Sequence, residues 1–516
     1  MTRIFNLIPS FGMILGAILF VALPVHAAPG DAENGEKVYN KRCVWCHGEE
    51  GDADTAAAEL LIPSPRDFTE GIYKYITSPF GEDFPKDADI FRMISDGMPG
   101  TDMPGWADIL TEQERWDLVA YLKAFAELEE EPEPNIDYGT EIKTSAESIA
   151  RGKELFLDGD RCAECHGQEG RGDAIKKLKT DSGERTWPRN LTKPWTFRAG
   201  ITAKDIFTRI TTGIPGTQMP SFSDERSKKK LSVEDRWHVA NYVVSLAKTK
   251  NVVAAANTVI KAARVDGDVP SDPDDAKWAE SEPTTFMLIP QIIGKDRVFT
   301  FANDTVTVSA YYNDKELALL LEWDDRTKST PGNADSDKIA DADPQPDSIA
   351  VQLPVGLPKG VEKPYFVMGD PSNPVNIWQW TSAAEGGSDT VALANAQGMD
   401  KVETREAAEV GLSANSSYKN GTWRVVMKRP LKTSSTETDL QFAEGIFIPI
   451  AFSNWDGSNS EAGSKRTLTT WYWILLKPPE SLRPVFAGVG VAGLILALLA
   501  WWAASAGRRR KAEEEA

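Results

Sequence analysis

The chain has four cysteines, and all four sit in two Cys-x-x-Cys-His motifs: Cys43-Val44-Trp45-Cys46-His47 and Cys162-Ala163-Glu164-Cys165-His166. At this spacing the two thiols add to the vinyl groups of a haem, and the next histidine is held under the iron as its proximal ligand. A bare Cys-x-x-Cys also serves redox pairs and half zinc sites. The adjacent His and the duplication oppose both readings. We therefore expect two covalent haem c groups, attached through Cys43, Cys46, Cys162 and Cys165, with His47 and His166 on iron. No cysteine remains for an iron–sulfur cluster or a structural disulfide.

The sixth iron ligand follows by elimination. The four histidines are His26, His47, His166 and His238. His26 falls in an N-terminal leader, and His238 aligns with Asp117 on what reads as a polar, surface helix face. Bis-histidine haem is thereby disfavoured. Met103 and Met219 occupy equivalent places after the two motifs, and Pro104 and Pro220 follow them directly. A thioether is a soft ligand that raises the potential relative to a second histidine. Met98 aligns with Ile214 and reads as packing. Trp45, Arg66 and Arg189 are further candidates for the haem edge or propionates; a plain surface role for either Arg stays open.

The motifs belong to an internal repeat. Asn34 to Tyr39 matches Arg151 to Phe156, Pro65 to Thr69 matches Pro188 to Thr192, Gly97 to Pro104 matches Gly213 to Pro220, and Glu114 to Leu122 matches Asp235 to Val243. Blocks matched in the same order mean two copies of one small domain. Trp116, Val119, Ala120, Tyr121 and Leu122 form a helical stripe. The acidic, proline-ending run Glu127 to Pro134 reads as an extended linker. After about residue 255 the texture changes. Thr305 to Tyr311, Trp423 to Met427 and parts of Ile446 to Phe452 alternate as half-buried strands. Short apolar runs at Leu317 to Leu321, Ile349 to Leu353 and Leu468 to Leu476 are bounded by turn residues. The expectation is a β-sandwich, with Thr327 to Pro346 as a polar loop.

With 516 residues the chain is too long for one domain. Its net charge of −20 repels nucleic acid and favours a basic partner. Arg3, an apolar run from Phe11 to Leu23 and Val25-His26-Ala27 read as a secretory leader cut after Ala27. Val485 to Ala506 carries no charge and is long enough to span a bilayer. Arg508 to Lys511 follows and puts that end in the cytoplasm. The expected fold class is multidomain α + β. The order is leader 1–27, all-α c-type domains at 28–133 and 134–254, a β-sandwich at 255–482, a transmembrane helix at 483–507 and a cytoplasmic tail at 508–516. The bulk of the chain would then lie in the periplasm.

Residues 30 to 250, with the two motifs and the Gly-x-Pro-Gly-Thr-x-Met-Pro blocks, resemble the class I cytochrome c family. That resemblance implies six-coordinate His/Met haems that pass electrons and bind no substrate. Residues 285 to 478 resemble the haem b-binding subunits of ethylbenzene dehydrogenase and related periplasmic molybdenum enzymes. The resembling segments are Leu321-Glu322-Trp323-Asp324-Asp325, Phe366-Val367-Met368-Gly369-Asp370, Val375 to Trp380 and Ser453-Asn454-Trp455-Asp456-Gly457-Ser458, with Lys465 and Trp471. It implies a non-covalent haem b held between Met368 and Lys465, with Met287, Met399 and Met427 as alternative donors. Lysine ligates only as the neutral amine, which a buried site favours. The implied role is electron transfer, without activity of its own, for molybdopterin and iron–sulfur subunits. Nitrite, nitrate or hydrocarbon oxidoreductases are the relatives in question, and a soluble cytochrome c or a membrane respiratory complex is the other partner. Two rivals are a sandwich that binds carbohydrate or another ligand, and a dihaem peroxidase, which the two Met-Pro blocks oppose.

Overall fold

The computed structural model describes residues 30–514 apart from 62, 82–83, 100, 129–134, 160, 182, 248–257, 299, 331, 358–361, 384–386 and 480–482. The leader, most of the acidic linker and the boundaries expected at 133/134 and 254/255 lie outside the described residues.

The repeat folds twice in the same way. The first copy has α1 (Ala32–Arg42), α2 (Val44–His47), α3 (Asp87–Asp96) and α4 (Glu112–Phe125). The second has α5 (Ala146–Leu157), α6 (Ala163–His166), α7 (Ala203–Thr212) and α8 (Val233–Ser245), with a two-residue hairpin, β1 (Leu178–Lys179) and β2 (Arg185–Thr186). Side chains cap the helix starts: Asp31 on α1, the Thr111/Glu114 box on α4, the Thr202/Asp205 box on α7 and Ser232 on α8. In each copy the first and last helices cross over a glycine. A Cβ on Gly35 would lie 2.1 Å from the Asp117 carbonyl oxygen, and one on Gly152 would lie 2.0 Å from that of His238. Only glycine permits that approach.

The crossing also explains His238. It is not a surface residue: its side chain is 17% exposed, and Nδ1 lies 2.9 Å from Ser148 Oγ of α5. Asp117, its counterpart, is 2% exposed and accepts from the Asp31 N–H and Asn34 Nδ2 of the first helix region. Both are polar ties between the crossing helices.

The sandwich begins with β3 (Val259–Arg264), β4 (Thr284–Met287), β5 (Ile289–Pro290), β6 (Thr305–Tyr312) and β7 (Glu316–Asp324). After α9 (Ala334–Ile339) come β8 (Ser348–Pro354), β9 (Val375–Thr381), β10 (Thr390–Ala396), β11 (Val402–Arg405), β12 (Ser413–Lys419) and β13 (Thr422–Pro430). It ends with β14 (Phe447–Trp455), β15 (Thr467–Leu468) and β16 (Tyr472–Leu476). One sheet runs β12-β13-β7-β6-β3, the other β11-β10-β9-β8-β14. β16 joins them, antiparallel to the first half of β14 and parallel to β3, while the second half of β14 pairs with β8. Leu317, Leu319, Leu321 and Trp323 meet Ile349, Val351, Trp378 and Trp380 in the core between the sheets.

Two expectations are corrected. β6 is buried on both faces rather than half-buried, because Val265, Val269 and Trp278 cover Tyr311 from outside, as they cover Ala318 and Leu320 of β7. The expected loop from Thr327 to Pro346 contains α9, anchored by the fully buried Ile339. The chain continues into α10 (Arg483–Glu514), of which Gly488–Arg510 is long and apolar enough to cross a membrane.

Candidate redox centres and their junction

Each Cys-x-x-Cys-His motif forms one helical turn, α2 or α6, that presents its histidine inward. His47 Nδ1 lies 3.0 Å from the Arg66 carbonyl oxygen, and His166 Nδ1 lies 2.9 Å from that of Arg189. Those two arginines are repeat-equivalent, and each gives its backbone oxygen to a motif histidine. The bond fixes the ring and leaves Nε2 free for iron, the arrangement that orients metal-bound histidines. Burial lowers both imidazole pKa values, keeping the rings neutral and able to ligate. Burial also pushes the Cys43 and Cys162 thiols up to about 12, which disfavours the thiolates that zinc would need.

The methionine loops share one hydrogen-bond frame. Met98 N–H donates to the Met103 carbonyl and Met103 N–H to Thr101 Oγ1; Ile214 N–H donates to the Met219 carbonyl and Met219 N–H to Thr217 Oγ1. In the second domain Cys162, Cys165, His166, Met219 and Pro220 line one cavity of about 250 Å³, walled by Phe156, Ile210 and Val243 among others. Donor set and lining fit a His/Met haem c, which supplies a one-electron couple when bound. For the first domain the structure gives the same frame around His47 and Met103, with His47 stacked on Phe68 at 4.5 Å. Trp45, by contrast, is 75% exposed.

The second c-type domain docks on the sandwich through buried charges that the sequence pattern did not flag. The Arg171 guanidinium donates to Asp324 Oδ1 at 2.6 Å, to the Gly421 carbonyl at 2.7 Å, and to Asn420 and Thr422. Lys193 Nζ reaches Asp304 at 3.1 Å, Asp324 at 3.2 Å and Thr305 Oγ1 at 2.7 Å. Arg185 pairs with Asp341 at 2.7 Å. The Arg326 guanidinium lies 3.4 Å from the centre of the Trp187 ring, and that of Arg185 lies 4.0 Å from it. The segment from Arg185 to Lys193 thus holds His166 through the Arg189 carbonyl and grips the sandwich through its charges. Against it lies a second cavity of about 520 Å³, lined by Trp187, Arg189, Arg326, Asn459, Met287 and Lys465.

Met368 and Lys465 are not brought to one cavity wall. Lys465 lines the junction cavity, its Nζ donating to the Asn459 carbonyl at 2.9 Å, while Met287, an alternative donor, lines the same space. Met368 belongs to an apolar cluster on the outer face of the second sheet with Phe366, Trp455 and Trp471. Trp455 links the two: its Nε1 donates to the Gly463 carbonyl and Arg466 lies over its ring, so the Lys465 loop leans on it. Met368 has φ +62°, a left-handed backbone that a non-glycine residue rarely adopts, and its N–H is held by Gln352 Oε1 at 3.1 Å. Such strained residues cluster at ligand sites.

These features define a cytochrome with two c-type domains and a β-sandwich module. The cytochrome c oxidase cbb3-type subunit III model matches residues 30–122, the cytochrome c model 149–247 and the ethylbenzene dehydrogenase model 274–409 and 397–467. The chlorate reductase gamma subunit of Ideonella dechloratans is 30% identical over 231 residues, covering 44% of this chain and 89% of that one. The respiratory nitrate reductase heme subunit ORF7 of Haloferax mediterranei is 26% identical over 235 residues, covering 44% and 79%. A chain of a reducing HAO-like complex of Kuenenia stuttgartiensis is 39% identical, covering 43% of this chain and all of that one, at a TM-score of 0.40. The chain belongs to the ethylbenzene dehydrogenase family, extended by two cytochrome c domains, and its work is electron transport.

Proposed function

We propose that the chain is the membrane-anchored, periplasmic electron-transfer subunit of a molybdopterin and iron–sulfur oxidoreductase acting on nitrite, nitrate, chlorate or hydrocarbon-type substrates. Met368 and Lys465 would hold a haem b in the sandwich, which would supply a one-electron couple facing the iron–sulfur subunit. Cys162, Cys165, His166 and Met219 would hold the next one-electron couple, and Cys43, Cys46, His47 and Met103 the last. A soluble cytochrome c or a membrane respiratory complex completes the chain at the exposed Trp45 face, and α10 anchors the assembly with Arg508 to Arg510 in the cytoplasm.

One observation carries this reading. The His166/Met219 cavity and the Lys465 cavity share Lys74, Thr186, Trp187, Pro188, Arg189 and Arg198 as common walls. A wire between the two halves needs such contact. The test is a pyridine haemochrome spectrum of the purified full chain made with c-type maturation. Two c haems to one b are expected, with Met368→Ala and Lys465→Ala each losing b and keeping both c. Two c haems and no b, in folded protein supplied with haem, would sink the three-haem wire and leave a dihaem cytochrome fused to a ligand-binding sandwich.

A further inference from the structure

One end of the sandwich holds a constellation that electron transfer does not use. Asp325 follows β7, Asp347 precedes β8 and Asp456 follows β14. Elements of both sheets therefore deliver carboxylates to one point. One oxygen from each lies within 4.8 Å of the others, and none of the three residues is more than 3% exposed. Glu461, 1% exposed, stands beside them and accepts the Asp456 N–H at 3.0 Å.

Neutral donors only partly satisfy this charge. Asp347 accepts from the Ser329 and Gly457 N–H groups and from Trp423 Nε1 at 2.7–2.9 Å. Asp325 accepts from Trp323 Nε1 and Asn303 Nδ2, both at 3.3 Å. Asp456 Oδ1 takes Ser458 Oγ at 2.6 Å and the Asn459 N–H at 3.3 Å, but its Oδ2, in a residue with 0% exposure, has no hydrogen-bond partner. Arg326, the cation beside the cluster, is stacked on Trp187; Asp456 and Asp325 act on it through charge, but among the described residues no direct salt bridge joins it to any of the four carboxylates. One guanidinium that contacts none of them directly does not balance four buried carboxylates, and the orphaned Asp456 oxygen marks where a cation fits.

We propose that Asp325, Asp347 and Asp456 bind Ca²⁺, which staples the two sheets and fixes the loop that carries Lys465. The donor set is all oxygen, so it selects a hard cation over thiolate- or imidazole-seeking metals. Ligands on opposite sides of Ca²⁺ lie about 5 Å apart, which accommodates this spread, whereas Mg²⁺ requires a tighter, near-ideal octahedron. Water completes the coordination shell. The link to Lys465 is short: Asn459 Nδ2 donates to Glu461 Oε1 at 2.8 Å, and the Asn459 carbonyl accepts Lys465 Nζ at 2.9 Å. The cation site itself stands whether or not haem b is present.

The experiment uses the full chain in detergent with both c haems attached. Metal content is measured after desalting, and calorimetric unfolding is followed in Ca²⁺, in Mg²⁺ and in EDTA. We expect one Ca²⁺ per chain. With Ca²⁺ about 100-fold above its Kd, the sandwich transition rises by roughly 5–10 °C relative to EDTA. Asp456→Asn keeps the c haems and loses the Ca²⁺ response. Should that variant not fold, wild-type stoichiometry and the Ca²⁺-dependent shift decide the matter. No retained Ca²⁺ and identical transitions in Ca²⁺ and EDTA would overturn the site and mean that the carboxyls hold protons instead. A larger shift with Mg²⁺ than with Ca²⁺ would overturn the assignment of the ion.

Discussion

The two c-type domains share a backbone frame and differ in what their surfaces meet. Phe68 N–H donates to the Gly51 carbonyl and Leu191 N–H to that of Gly170; Ala53 and Gly172 N–H groups reach back to the carbonyls of His47 and His166. On this common frame the second domain carries Arg171, Asn190 and Lys193, which grip the sandwich. The first domain carries Asp52, Asp67 and Glu70 at the same places. The position inside the haem motif differs too: Glu164 is tied to Lys176 and Lys229, whereas Trp45 stands 75% exposed. Duplication kept the electron-carrying interior and rewrote the face around it. One copy is committed to an internal partner; the other keeps carboxylates at the equivalent places and an exposed tryptophan in its haem motif, which suit a basic partner.

Breaking the internal contact should have the largest effect. Asp324→Lys sets a cation against Arg171 and Lys193, and loss of partly buried pairs of this kind costs about 3 kcal/mol, roughly a hundredfold in the docking equilibrium. Limited proteolysis between the second c domain and the sandwich should accelerate accordingly. Asp52→Lys, at the position equivalent to Arg171, should leave stability within about 0.5 kcal/mol. Equal sensitivity of the two variants would mean that the domains are not differently committed.

Next in size is the aromatic centre. Trp45→Ala should slow reduction of a basic soluble cytochrome by about 2 kcal/mol, near 30-fold in the second-order rate. Glu164→Ala should leave that rate unchanged, because Glu164 is tied to Lys176 and Lys229 of its own domain and offers no exposed aromatic surface. Stopped-flow mixing of the pre-reduced chain with a cationic carrier measures both, and a Trp45→Ala rate equal to wild type would remove this face as the exit.

Much of the redox interior was legible because its chemistry is local in sequence. Covalent haem attachment writes Cys-x-x-Cys-His as a linear motif, and the repeat placed Met103 and Met219 in matched loops. What escaped depends on which surfaces meet. Arg171 and Lys193 look like ordinary charges until Asp324 and Asp304 come to them from the sandwich. His238 looked like a surface residue because its alignment with Asp117 cannot show a helix crossing made close by Gly152. β6 looked half-buried because nothing in its own alternation announces Trp278 covering the other face. Asp325 and Asp456 lay within the segments that carried the family resemblance, but their convergence with Asp347 is a tertiary fact.

A smaller effect distinguishes charge from shape at the open face. Raising ionic strength from about 10 to 150 mM should slow encounter with the cationic carrier by roughly tenfold, since exposed charges act over about a Debye length. Asp52→Asn with Glu70→Gln should flatten that dependence without touching the Trp45 contribution. A salt slope unchanged in the double variant would assign the steering to the net charge of the whole chain instead of this face.

The smallest prediction concerns pH at the closed face. Burial lowers the Lys193 pKa, but Asp304 and Asp324 outweigh it, and the docked value lies above the ordinary 10.5. The sign then follows from linkage. A raised pKa means that the docked state holds its proton more tightly, so the contribution of Lys193 is complete below 10.5 and is lost as pH rises through the docked value. Docking should therefore be flat through neutral pH and weaken only in the alkaline range, as read by cleavage between the domains. Lys193→Arg should extend the plateau, because a guanidinium keeps its charge there. Lys193→Met should dock more weakly at every pH and show no alkaline step of this origin. The first domain has Glu70 at that position, so its reaction with the soluble carrier should show no alkaline step of this origin.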